Sequence, residues 1–127
     1  MTDKNKMNIL SGFPKKISVL GEEYKILFKR KEDDEKLDGA DGYCEFLSKE
    51  IIIDKSIFTG GDESPLVLKK LDLLGLKVIR HELIHAFIYE SGLSSENKWA
   101  ENEELVDWIA IQFPKLKKCF EKIGASE

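Results

Sequence analysis

The chain predicts an α+β domain, a small antiparallel sheet in its first half with helices packed against it from the second. Residues suited to strands, β-branched and aromatic, dominate up to about residue 54, whereas apolar residues at helical spacing dominate from about residue 65. A length of 127 residues with 42% apolar content supports one core, so residues 1–127 read as a single domain that must hold the whole function.

In chain order, KISVLGEEYKILFK (16–29) carries two strand-like runs around Gly21. Ile17 and Val19 lie in one arm and Tyr24, Ile26 and Phe28 in the other, which predicts a hairpin. RKEDDEKLDGADG lacks either apolar period and reads as a solvated loop. Its acids do not follow the EF-hand ligand spacing, so calcium is not expected. YCEFLSKEIIID predicts two short strands, about 43–47 and 50–54. Ser64 and Pro65 form an N-cap and first-turn pair, and apolar positions from Leu66 to Phe87 predict one long, mostly buried helix, with Gly75 a candidate kink and Gly92 its end. NKWAENEELVDWIAIQ predicts a second helix stopped before Pro114, and PKLKKCFEKIG a short third.

Composition narrows the function classes. The 20 basic residues are interspersed with 24 acidic ones for a net charge of -4, so no electrostatic footprint for nucleic acid stands out. No apolar run resembles a signal peptide or approaches the roughly 20 residues that span a bilayer, so no membrane partner is expected. Cys44 and Cys119 lack a CxxC spacing and read as reduced packing residues, which fits a cytoplasmic protein.

Both histidines of the chain lie in KVIRHELIHAFIYESG, four positions apart. Residues i and i+4 share one helix face, so His81 and His85 can direct two imidazoles at one ion about 2 Å away. Glu82 is turned about 100° from His81 and suits a water on the metal, the place of a general base. HExxH arises by chance in only about a few per thousand chains of this size. A catalytic zinc needs a third protein ligand and an open position. Glu103, in AENEELVDWIA, lies on the next predicted helix, which the turn ESGLSSEN lets fold back. Its rivals Glu101 and Glu104 point elsewhere around that helix, whereas Glu103 shares a face with Asp107.

With HELIH followed by NEELVD, the chain resembles the gluzincin pattern of zinc peptidases, HExxH followed by NExxxD. EELVDWIA is similar to a helix of the ImmA/IrrE metallopeptidases, and the likeness runs from about residue 40 to 114. Ile84 stands where many of that family have Gly. The resemblance implies Zn2+ held by His81, His85 and Glu103, Glu82 as the base that activates water, and Asp107 orienting the first histidine. It also implies a cytoplasmic, often phage-associated enzyme acting on protein substrates, with repressors among them.

These expectations define a zinc metallo-endopeptidase that hydrolyses peptide bonds with a zinc-activated water and no covalent intermediate. Tyr89, Tyr43 and Arg80 are oxyanion stabilisers by residue type only, and YCEFL is the sheet edge to which a peptide could add as a strand. Three other classes compete. A facial-triad iron site would leave Glu82 without work. A closed structural zinc site would recruit Cys44 or Cys119. A regulatory module would keep the zinc fold to grip a partner, with weak or no proteolysis.

Overall fold

The structure is a computed structural model that describes residues 13–58 and 65–127, with side chains of the first long helix described from residue 73 onward. Four strands form one sheet in the order β1-β2-β4-β3: β1 (Lys16–Val19), β2 (Glu22–Lys29), β3 (Gly42–Glu45) and β4 (Glu50–Asp54). The predicted hairpin is present. Its two turn residues both take positive φ, 50° at Leu20 and 89° at Gly21, matching the twist of the arms they join.

The domain is α+β, but its sheet is mixed where a wholly antiparallel one was expected. β3 and β4 pair antiparallel, whereas β2 and β4 pair in parallel, with Ile26 opposite Ile51 and Phe28 opposite Ile53. The 30–49 connection is long enough for that crossover, and it carries β3 to the far edge. Strand β4 therefore sits between neighbours and is buried on both faces, which is why EIIID reads as a continuous apolar run. Ile51 and Ile53 join Tyr24, Phe58, Val78, Ile79 and Ala86 in the main core. On the opposite face Ile52 is also buried. The segment expected to be a solvated loop crosses that side in two 3-10 turns, Lys31–Asp33 and Glu35–Leu37. It buries Leu37 fully and anchors Asp34 to the Tyr43 hydroxyl at 2.6 Å.

Helix α1 (Pro65–Glu90) covers the main core, and its proposed cap Ser64 lies outside the described residues. It is continuous through Gly75, the candidate kink. The glycine is needed for packing, since a Cβ would run into the Phe58 ring. The close approach of α1 to the sheet edge needs Gly42 as well, where a Cβ would meet the Ile52 carbonyl at 2.9 Å and Val78 at 3.1 Å. Gly92, at φ 84°, ends the run in the left-handed conformation. Glu90 fastens the last turn to the sheet by accepting from Tyr24 Oη at 3.2 Å and Lys49 Nζ at 2.8 Å.

The short helix α2 (Leu93–Glu96) and a 3-10 turn (Lys98–Glu101) reverse the chain into α3 (Glu103–Lys122), capped by Asn102, whose side chain accepts from the Leu105 amide. The expected second helix thus begins at Glu103 rather than Asn97. It also absorbs the expected third helix, because Pro114 does not stop it. Proline lacks the N–H that would bond the Ala110 carbonyl four residues back, and Arg80 Nε of α1 takes that carbonyl instead at 2.7 Å. Val106 and Ala110 are buried. Both cysteines are free thiols, but only Cys44 packs against the core; Cys119 is exposed. Among the described residues no helix is long and apolar enough to cross a membrane.

Candidate metal centre

Side by side, α1 and α3 supply every residue of the predicted site. His81 and His85 project one turn apart from α1, and Glu103 reaches them from the first turn of α3. The three residues offer ligand atoms that all lie within 4.8 Å of one another. His81 Nε2 is 2.8 Å from Glu103 Oε2, His85 Nε2 is 3.1 Å from Glu103 Oε1, and the two Nε2 atoms are 3.2 Å apart. Two nitrogens each about 2.0–2.1 Å from one zinc in tetrahedral geometry would stand about 3.3 Å apart. The imidazoles are already at that spacing.

Asp107 sets the protonation of the cluster. Burial pushes its carboxyl up, but bonds and charges from Lys77 and His81 more than offset this, so it sits below the usual carboxylate range. Its Oδ1 accepts from Lys77 Nζ at 3.3 Å and lies 3.1 Å from His81 Nδ1. An ionised carboxylate only accepts, so His81 donates its Nδ1–H there, and in the neutral ring that tautomer turns the Nε2 lone pair toward the cluster. Glu103 is likewise held low, its burial outweighed by His85 and then His81. A bare imidazole nitrogen, a second imidazole and an ionised carboxylate therefore converge on one point, an arrangement that needs a cation or a shared proton between them. The donors, two nitrogens and a carboxylate oxygen, fit zinc.

Glu82 is 6% exposed and borders two openings, one that it shares with His81 and Asp107 and one that it shares with His85 and Glu103. Burial pushes its carboxyl up to about 7; His81 pulls it back and Glu103 pushes it further. A cation held by the cluster would draw it down again. The larger opening is a groove of about 620 Å³ that also holds His85, Glu103, Cys44, Phe46 and Tyr89.

The remaining sequence candidates separate. Glu101 lies in the 3-10 turn before α3, so helical spacing does not govern it; it lines the groove, while neither it nor Glu104 joins the cluster. Cys44 and Cys119 are absent from the cluster too, so among the described residues no fourth protein ligand closes it. Of the oxyanion candidates, Arg80 is engaged with the Ala110 carbonyl, and Tyr43 and Tyr89 both line the groove, with the Tyr43 hydroxyl committed to Asp34. Two participants were missed. Lys77 lies one turn before His81 on the same helix face, a signal readable as i−4 spacing. Phe46 joins the groove through tertiary packing, for which the sequence carries no local signal.

No protein-family model, no curated protein and no solved structure matches this chain.

Proposed function

We propose that this protein is a single-domain zinc metallo-endopeptidase of gluzincin type, similar to the ImmA/IrrE peptidases, that hydrolyses peptide bonds in a protein substrate. The observation that carries the reading is the convergence of His81 Nε2, His85 Nε2 and a Glu103 oxygen beside a buried Glu82 at the floor of an open groove. When bound, zinc supplies Lewis-acid chemistry, polarising the scissile carbonyl and acidifying water.

The chain's own residues do the rest. His81, His85 and Glu103 hold the metal, and Asp107 keeps the His81 ring in the tautomer that binds. Glu82 takes the proton of the attacking water on a carboxylate oxygen and returns it to the leaving amine nitrogen, so the base regenerates within one turnover. Burial favours the protonated form of Glu82 needed for the second step. The edge strand β3, beside the groove, offers main-chain groups to an extended substrate. Phage association and repressor cleavage belong to this reading through the resemblance alone, and free thiols at Cys44 and Cys119 fit a cytoplasmic setting.

The test is a peptide-library digest with wild type and Glu82→Gln, each assayed for zinc. Retained zinc with hydrolysis reduced at least roughly 100-fold in the variant supports the enzyme. A wild type that cuts neither library nor repressor proteins, and is indistinguishable from Glu82→Gln, leaves a metal-containing binding module instead.

A further inference from the structure

The groove has an aromatic wall that hydrolysis does not require. Phe46, the residue after β3, stacks on Tyr89 of α1 with ring centroids 4.4 Å apart and planes 8° from parallel. Both rings line the groove together with Ile88 and Ala100, and Tyr89 stays 37% exposed. This wall is continuous with the metal centre, since His85 and Glu103 border the same space.

The adjoining strand can present a peptide to that wall. β3 is an edge strand, and the Asp54 amide donates to the Asp41 carbonyl at its start. Antiparallel pairs alternate between bonded and non-bonded, so the pairs bonded to β4 are Tyr43 with Ile52 and Glu45 with Glu50. The main-chain groups of Gly42 and Cys44 then face outward, where an extended segment can pair with them and lay a side chain against the rings.

We infer that Phe46 and Tyr89 form a side-chain subsite that takes an aromatic or large aliphatic residue of an extended peptide in preference to a small polar one. The inference deepens the peptidase reading and rests on it where cleavage is concerned, whereas peptide binding can be measured without cleavage.

The probes are blocked glycine-rich pentapeptides with one variable residue, Phe, Leu or Ser. They are titrated into zinc-loaded Glu82→Gln protein while the Phe46 and Tyr89 ring signals are followed by NMR, and the wild type's cleavage-site profile is read from a peptide library. Phe and Leu peptides are expected to bind roughly tenfold or more tightly than Ser. Phe46→Ala should abolish that preference with zinc content unchanged, and Tyr89→Phe should keep it, because the wall needs the ring and not the hydroxyl. Should Phe46→Ala not fold, Tyr89→Ala probes the same wall from the helix. Undiminished discrimination in a folded, zinc-loaded Phe46→Ala, or Ser bound as well as Phe with the Phe46 and Tyr89 side chains intact, overturns the subsite. If wild type cuts nothing yet Phe46→Ala loses the binding preference, the subsite stands and hydrolysis falls. If wild type cuts without positional preference, hydrolysis stands and the subsite falls.

Discussion

Asp107 accepts from two donors on the facing helix, Lys77 Nζ and His81 Nδ1, and so fixes which imidazole nitrogen turns toward the metal. An amide there can present its NH2 or its oxygen but no charge. Asp107→Asn should therefore keep the fold while zinc affinity or turnover falls roughly 10- to 100-fold; unchanged values would return Asp107 to a surface role. Thiol labelling makes a second residue-level prediction. Burial, then the charge of Glu82, pushes the Cys44 thiol up to about 12, so at pH 8 almost no thiolate exists there, and its reactivity should climb with pH until that value. Cys119 is exposed, so the folded protein should take one equivalent of a thiol reagent quickly at pH 8 and the second, at the half-buried Cys44, far more slowly. Fast double labelling of folded protein would contradict this. His81, Glu82, His85 and Asp107 were legible in the sequence because i, i+1 and i+4 relations are local to a helix. Cys119 was misjudged because its helix continues past Pro114, and only the packed structure displays which of its faces remains open.

Between elements, Arg80 links α1 to α3 at the one helical carbonyl that Pro114 leaves without its usual partner. Arg80→Met should cost about 1–3 kcal/mol, the price of an unsatisfied buried carbonyl, and the loss should shrink in a Pro114→Ala background, where residue 114 regains its N–H. Equal losses in the two backgrounds, measured by denaturant unfolding, would reject the pairing. Gly75→Ala tests the contact between α1 and Phe58. Helix propensity alone favours alanine by about 1 kcal/mol, whereas overpacking against the ring costs typically 1–3 kcal/mol, so the variant should be less stable. A higher melting temperature would show that Phe58 moves aside freely. Strand and helix positions were readable from periodicity and from Gly21 and Gly92, whereas the start of α3 after Asn102 was not, since the residues from Asn97 also carry a helical period. The parallel pairing of β2 with β4 was not, because alternation states which face a residue takes and not which strand lies beside it.

For the whole molecule, the main core of Tyr24, Ile51, Ile53, Phe58 and Val78 is built without any metal ligand, so the protein should remain folded when zinc is chelated. On the proposed function zinc would bind only the native arrangement of two helices, so free zinc at a hundred times its dissociation constant should add about 2.7 kcal/mol, a rise of several degrees in melting temperature. Cooperative melting lost on chelation would instead mark a domain whose folding depends on the metal. The central claim is that three residues from two helices form one zinc site, and bound zinc per chain after dialysis tests it most directly. About one zinc is predicted for wild type, Glu104→Ala and the Cys44→Ser, Cys119→Ser double variant, with essentially none for His85→Ala or Glu103→Ala. Full zinc in Glu103→Ala, or zinc lost on removing the cysteines, would contradict the account.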